Sequence, residues 1–147
     1  MSNKTDGNNF EKEICKMLSK EYGFWALNIP QSAVGQACDI VAIKDNITLL
    51  IDCKMCQTRN TFNFERIEPN QFTAMDYFEA KAGGKSLFVF KSTKGKILCV
   101  EWETVRNKID NMETTIKIVD CSLFERWLEE KVGVKKIESN NQQSTDS

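Results

Sequence analysis

The chain has 147 residues, 41% of them hydrophobic, which suffices for one domain with its own core and is too few for two. Its 20 basic and 21 acidic residues leave a net charge of -1, so composition gives no broad basic surface for nucleic acid. Histidine is absent, which excludes His-based catalytic triads and His metal clusters. Any hydrolytic chemistry must therefore use carboxylates, lysine and metal-bound water.

The N-terminal residues lack the apolar segment of a signal peptide, and no apolar run approaches the roughly 20 residues of a membrane helix. Six cysteines are scattered through apolar segments, which is typical of small buried side chains in a reducing compartment. We therefore expect a soluble, cytoplasmic protein. The pair Cys53 and Cys56 has the spacing of half a zinc site, but the second ligand pair is missing.

The first half of the chain predicts one helix followed by three strands. Apolar residues at helical spacing predict a helix over residues 10 to 22, which Gly23 can end. Residues 24 to 29 read as a strand that stops at Pro30. Residues 39 to 43 and 47 to 56 flank a turn-forming trio, Lys44-Asp45-Asn46, and are therefore predicted to pair as a hairpin.

The second half predicts a helix, a second hairpin and a final amphipathic helix. Pro69 begins a helix that runs to about Ala82 and ends at two glycines. Residues 86 to 92 and 96 to 103 form the second hairpin, followed by a short helix near 104 to 111 and a possible strand over 115 to 119. We expect a single domain over residues 1 to 135 and a disordered polar tail over residues 136 to 147.

This order predicts an α/β sandwich in which helices flank a central mixed sheet, with an αβββαβ core.

One charged pair, Asp52 and Lys54, interrupts an otherwise apolar strand and faces one side of it. An edge strand with one solvated side would explain the pair without any function. Asp39 begins the preceding strand, so its carboxylate can approach Asp52 across the hairpin.

Two close carboxylates repel each other unless a cation lies between them, and a site made only of oxygen ligands favours Mg²⁺ or Mn²⁺ over zinc. The charged Lys54 cannot be a ligand. We expect it to hold or deprotonate the attacking water, or to stabilise charge on a phosphate.

The segment GNNFEKE in the first helix, Asp39, and Asp52-Cys53-Lys54 in the next strand resemble the PD-(D/E)xK nuclease superfamily. Within it they are similar to the RecU-like and archaeal Holliday junction resolvases, over roughly residues 7 to 100. The resemblance implies a restriction-endonuclease-like fold and a metal-dependent endonuclease that hydrolyses branched DNA. It also implies a homodimer, because resolving a junction requires two symmetric cuts.

By the same resemblance, Asp39 and Asp52 hold the metal, Glu11 completes the metal site directly or through water, and Lys54 serves the nucleophilic water. Gln71, in the segment EPNQF, is similar to a glutamine that lies near the active centre of RecU-like proteins. Glu11 could instead be an exposed acid on a helix, and Gln71 needs no special role at the start of a helix.

The chain departs from the family pattern at three points. Cys38 stands where the family name has proline, and position 52 carries Asp where Glu is commoner. The long insertion of RecU-like enzymes is missing or reduced to residues 57 to 68, which bears on four-way junction specificity more than on hydrolysis.

DNA binding requires cations near the acidic centre. The sequence offers Lys12 and Lys16 on the first helix, Arg59 and Arg66 around the loop after the catalytic strand, and Lys91, Lys94 and Lys96 around the second hairpin. Each could equally be an ordinary solubilising charge. Phe62 and Phe64, between the two arginines, could stack on an unpaired base or cover the sheet.

Three alternatives remain open at this stage. A restriction-like or general nuclease would share the metal site and prefer linear duplex. A catalytically inactive DNA-binding accessory protein would keep the fold without the chemistry. A small zinc protein built on the cysteine pair would contain bound metal without cutting DNA.

Overall fold

A computed structural model describes residues 3–30 and 37–138. Of the tail predicted over residues 136 to 147, the part from residue 139 onward lies outside the described residues. Within the described part, Lys136 pairs with Glu21 and Glu125, and the Ile137 N–H donates to the Glu21 carbonyl. Within the described ranges, no helix has the length and apolar character needed to cross a membrane.

The order of elements follows the predicted one. The helices are α1 (Asn3–Lys16), which continues as a π-helical turn (Met17–Glu21), α2 (Pro69–Ala82), α3 (Trp102–Asp110) and α4 (Phe124–Trp127), which continues as a second π-helical turn (Leu128–Val132). The strands are β1 (Trp25–Asn28), β2 (Ile40–Lys44), β3 (Ile47–Met55), β4 (Thr61–Asn63), β5 (Lys85–Lys91), β6 (Ile97–Glu101), β7 (Thr115–Lys117) and β8 (Ser122–Leu123).

Six of these strands form a mixed sheet in the order β1-β2-β3-β5-β6-β8. The two predicted hairpins, β2-β3 and β5-β6, are antiparallel as expected. The turn of the first hairpin places Asp45 at a φ of 54°, a conformation that Asp tolerates better than most residues. β3 and β5 run parallel, because α2 returns the chain across the sheet between them.

Each face of the sheet is covered by its own hydrophobic cluster, so the central strands are apolar on both sides. On one face α1 packs through Phe10 and Ile14, together with Phe124 and Trp127 from α4. On the other face lie Met75 of α2 and side chains of α3, with Phe88 and Phe90 of β5 beneath them. The α/β sandwich with a central mixed sheet is therefore confirmed.

The structure adds a feature that the predicted order lacked. β4 and β7 pair as a separate two-stranded antiparallel sheet on the α2 side. In this small sheet Phe62 lies opposite Ile116, and both side chains are buried against the second cluster. The predicted strand over 115 to 119 is thus shorter, and its last residues belong to a 3-10 turn (Ile118–Asp120).

Candidate active site

The charged pair of β3 lies in the interior of the sheet. β3 pairs with β2 on one side and β5 on the other, so the edge-strand explanation of Asp52 and Lys54 is wrong. Asp52 is only 1% exposed. Burying a carboxylate this deeply is unfavourable unless it is paired and hydrogen-bonded, so its contacts define the site.

Asp39 faces Asp52 across the hairpin. The register pairs Ile40 with Ile51, which places Asp39 opposite Asp52 one residue further along. The Asp39 N–H donates to the Ile51 carbonyl at 2.9 Å, and its carboxylate Oδ2 accepts from the N–H of Cys53 at 2.7 Å. This backbone frame fixes the Asp39 carboxylate, which is 7% exposed, beside Asp52.

The two oxygens of Asp52 have different partners. Oδ1 accepts a hydrogen bond of 2.8 Å from Gln71 Nε2, an amide from α2. Oδ2 lies 2.9 Å from Lys54 Nζ as an ion pair, but among the described residues it has no partner with hydrogen-bond geometry. Oδ2 is therefore a buried carboxylate oxygen with remaining capacity to bind a cation or a donor.

The carboxylates and Lys54 interact strongly. Burial raises the pKa of Asp52 to about 7; the Lys54 ammonium opposes that rise and the Asp39 carboxylate adds to it. Burial also raises the pKa of Glu11 to about 7, and the negative charges of Asp39 and Asp52 and a hydrogen bond with Asp39 raise it further. Two neighbouring carboxyl groups with raised pKa values, Asp52 and Glu11, are typical of a site that a bound cation would stabilise.

Glu11 reaches this cluster from the opposite layer. α1 covers the first face of the sheet, and Glu11 is half-buried at its contact with Asp39. The explanation of Glu11 as a fully exposed helix acid is therefore wrong. The acidic cluster forms where α1 from one layer and α2 from the other meet the end of β3.

The donor set fits a hard divalent cation. All candidate ligands are carboxylate oxygens, which Mg²⁺ and Mn²⁺ prefer. Within residues 3–30 and 37–138, no set of three acidic or cysteine side chains is close enough together to hold a metal ion. Mg²⁺ does not require three, because it is commonly bound by one or two carboxylates and completes its shell with water and substrate phosphate. Asp39 and Asp52 satisfy that requirement.

Gln71 is held by a feature that the sequence interpretation missed. The Glu68 side chain caps the first turn of α2, and Gln71 Oε1 in return accepts from the Glu68 N–H at 3.2 Å. With Oε1 engaged in this capping box, the Gln71 amide group Nε2 points to Asp52. Glu68 and Gln71 are three residues apart, as the two members of a capping box are, and apolar residues follow them. This spacing was the signal in the sequence that could have identified the pair.

The cations predicted to contact DNA lie on the surface, whereas the aromatic residues between them, Phe62 and Phe64, do not. Lys12, Lys16, Arg59 and Arg66 are exposed, and the Arg66 guanidinium lies 6.0 Å from the centre of the Phe62 ring. Phe62 and Phe64 are only 1% and 8% exposed, and Phe62 packs on Phe88 and Phe90. Base stacking on either ring is therefore wrong, because both belong to the core.

The cysteine pair does not form half of a zinc site. Cys53 packs against the cluster under α1, whereas Cys56 packs against the cluster on the other face of the sheet. Burial raises the pKa of both thiols, which disfavours the thiolate that zinc requires. All six cysteines are free.

Comparisons with known proteins show the fold and the family of the chain. One of 26 matching chains of solved structures is Hjc of Archaeoglobus fulgidus, a Holliday junction resolvase from an archaeal hyperthermophile. The two are 22% identical, with a TM-score of 0.53, over 65% of this chain and 76% of that one. A search of curated proteins finds no significant match. The family model of archaeal Holliday junction resolvases (Hjc) matches residues 2–135. The chain therefore belongs to the archaeal Holliday junction resolvase family and is a junction-resolving nuclease.

Proposed function

We propose that the chain hydrolyses phosphodiester bonds of four-way junction DNA with Mg²⁺ or Mn²⁺ held by Asp39 and Asp52, and with Glu11 completing the metal site directly or through water. The observation that carries this proposal is the buried Asp52. One oxygen of its carboxylate is fixed by Gln71, the other lies beside Lys54, and the Asp39 carboxylate is close by. A divalent ion bound there would activate water and neutralise charge on the scissile phosphate.

Lys54 is assigned to the chemical step. Its side chain is 13% exposed, so the ammonium group lies between the buried acids and solvent, where a DNA phosphate could approach it. In this position it can donate a hydrogen bond to the attacking water or to a phosphate oxygen while its charge offsets that of Asp52.

Gln71 is assigned a positioning role. Its hydrogen bond to Oδ1 keeps the Asp52 carboxylate in one orientation and directs Oδ2 toward Lys54. A fixed carboxylate needs less rearrangement when substrate binds, which favours the reactive geometry.

Exposed cations near the acidic centre supply the attraction to DNA that a net charge of -1 does not. Lys12 and Lys16 follow Glu11 on α1, and Arg59 and Arg66 follow the catalytic strand. We assign these four residues to the phosphates that flank the cleaved bond.

The active form is proposed to be a homodimer, since a four-way junction needs two cuts related by two-fold symmetry and each chain carries one acidic centre. We place the protein in the cytoplasm. A junction-resolving activity and six reduced cysteines both suit that compartment.

The direct test compares cleavage of a labelled four-way junction with cleavage of linear duplexes of the same arm sequences, with Mg²⁺ and with chelator. We expect Mg²⁺-dependent cuts in the junction and little cutting of the duplexes. Equal cutting of both substrates would favour a general nuclease. Tight junction binding without any cutting would favour an inactive accessory protein.

A further inference from the structure

A groove that the proposed chemistry does not use lies beside the turn between β5 and β6. Its volume is about 380 Å³. One side is polar and the other apolar, and we name it the lysine groove after its main residues: Asn60, Lys94, Lys96, Leu98, Val119 and Leu123.

Two residues of the lysine groove, Leu98 and Leu123, belong to the row of paired residues that crosses the sheet from Lys54. Lys54 pairs with Phe90, Phe90 with Leu98, and Leu98 with Leu123. Paired residues of neighbouring strands lie on one face of the sheet and are about 4.8 Å apart, so Leu98 lies roughly 10 Å from Lys54. Phe62 covers Phe90 between the two, so the groove lies beyond this buried layer but within reach of DNA bound at the active site.

The charge of the groove matches a polyanion. Lys94 and Lys96 are exposed, and within residues 3–30 and 37–138 neither forms an ion pair with a carboxylate. The 3-10 turn that carries Val119 of the groove contains one acidic residue, Asp120. Next to Lys96, a second hollow of about 480 Å³ is lined by Glu125, Arg126, Glu129 and Glu130. In this hollow Glu130 pairs with Arg126 and Glu125 pairs with Lys136, so among the described residues that line the two hollows the two lysines of the lysine groove are the cations left for a polyanion.

The polar rim of the groove is preorganised by Asn60. Its side-chain Nδ2 donates to Thr93 Oγ1 at 2.9 Å, and its Oδ1 accepts from the Thr93 N–H at 2.8 Å. Its backbone carbonyl accepts from the N–H of Ile118 at 2.9 Å. One residue therefore ties the loop that carries Arg59, the turn that carries Lys94 and the apolar wall together, which lowers the entropic cost of binding.

We propose that the lysine groove binds the sugar-phosphate backbone of a junction arm, outside the DNA that contacts the acidic centre. Lys94 and Lys96 contact successive phosphates, and Val119 and Leu123, which are 77% and 41% exposed, pack against deoxyribose. This inference rests on the proposed nuclease function and extends it to a second DNA-binding surface.

The test measures binding of a fluorescent four-way junction in chelator, as a function of salt, by anisotropy. The double variant Lys94→Gln/Lys96→Gln is compared with wild type and with the matched variant Lys20→Gln/Lys135→Gln, which removes the same charge from exposed lysines away from the groove. We expect the groove variant to bind about tenfold more weakly at 0.1 M salt and its slope of log affinity against log salt to fall by about 2. The matched variant should resemble wild type.

A second pair of variants tests the apolar wall without risk to folding. Val119→Glu places a carboxylate in the groove, whereas Met112→Glu makes the same change at a side chain that is 88% exposed elsewhere. We expect only Val119→Glu to weaken junction binding. Unchanged affinity and salt slope in both groove variants, with intact junction cleavage by wild type, would overturn the groove and leave the nuclease assignment standing. A wild-type protein that neither binds nor cuts the junction would overturn both.

Discussion

Asp52 is held on one oxygen by the Gln71 amide and on the other by the Lys54 ammonium group. A carboxylate this deeply buried is costly even with an ammonium group beside it, which is why burial raises the pKa of Asp52 to about 7. We propose that this cost is tolerated because Asp52 and Asp39 bind the cation that hydrolysis requires, while Lys54 assists the attacking water.

Replacing Lys54 by Ala should slow the chemical step more than it weakens DNA binding. The ammonium group stabilises charge that develops during hydrolysis, so we expect the single-turnover rate constant with saturating protein to fall about 100-fold or more. Junction affinity should change only a few-fold. A normal rate constant at saturation, together with weaker binding, would show that Lys54 contacts DNA without assisting the reaction.

Without divalent ions, the free energy of unfolding should fall as the pH rises from about 4 to about 7. Asp52 and Glu11 have pKa values raised to about 7 in the folded protein from ordinary values near 4, so the native state binds more protons in this window. The stabilising contribution of their protonated forms is complete below pH 4 and lost by pH 7.

Asp52→Asn removes one of these groups. The variant should therefore be more stable than wild type at pH 8 in chelator, by roughly 1–3 kcal/mol, and less so at pH 5. Urea denaturation at the two pH values measures this difference. An equal difference at both pH values would mean that Asp52 does not titrate in this range.

The contact between Asp39, Asp52 and Lys54 of the candidate site was predictable, because charge in an apolar strand is rare and the hairpin fixes which residues face each other. The pairing of Asp39 with Asp52 followed from the turn at Asp45 alone. The contact of Gln71 with Asp52 joins two segments that are distant in sequence, and only packing of α2 on the sheet determines it. Phe62 and Phe64 stayed ambiguous, because an aromatic side chain among cations fits a DNA surface and a core equally well.

At the scale of elements, α2 is the part that completes the site. Pro69 and the capping box start it, and it is anchored to α3 through Asp76, which accepts from Trp102 Nε1 at 2.7 Å and from Arg106. After α2, Gly84 allows the chain to enter β5 against β3. A Cβ at position 84 would lie 2.5 Å from the Thr48 carbonyl oxygen and 2.6 Å from the Phe78 ring.

Gly84→Ala should therefore destabilise the protein, by roughly 1–3 kcal/mol, since the Thr48 backbone cannot move without disturbing β3. Gly7→Ala is the matched control, because a Cβ at this position of α1 meets nothing within 4 Å. The control should be neutral or slightly stabilising, as alanine favours helix. Thermal unfolding of both variants measures the difference. Equal melting temperatures for both variants would contradict the close approach at Gly84.

Elements with a long pattern were predictable, and the shortest strands mostly were not. β3 and α2 carry enough apolar residues to reveal their period, and both hairpins were correct. β4 has three residues and β8 has two, so no alternation can be read from them, whereas β7 was predicted as a longer strand over residues 115 to 119. β4 and β7 exist because residues far apart in sequence meet over Phe88 and Phe90, which is a tertiary effect.

At the scale of the whole molecule, the helical layers on the two faces of the sheet each contribute a side chain to the candidate site. The α1 layer contributes Glu11 and the α2 layer contributes Gln71, so the site is complete only when both layers are packed on the sheet. The cations proposed to contact DNA, Lys12, Lys16, Arg59 and Arg66, are exposed, so a chain of net charge -1 can still attract DNA locally.

A homodimer should introduce both cuts within one encounter with DNA. We expect sedimentation at micromolar concentration to give twice the chain mass. A cruciform extruded from a supercoiled plasmid should be converted mainly to linear DNA, because paired cuts separate the arms before the supercoil relaxes. A monomer mass together with nicked circles as the main product would contradict the dimer.

The central claim is that Asp39 and Asp52 hold the divalent ion that hydrolysis requires. It is tested most directly by Mg²⁺-dependent junction cleavage in Asp39→Asn and Asp52→Asn, beside Asp45→Asn, which makes the same change in an exposed turn. We predict that both active-site variants bind the junction and lose cleavage by about 1,000-fold or more, whereas the turn variant cuts like wild type. Wild-type cleavage by either active-site variant would contradict the account.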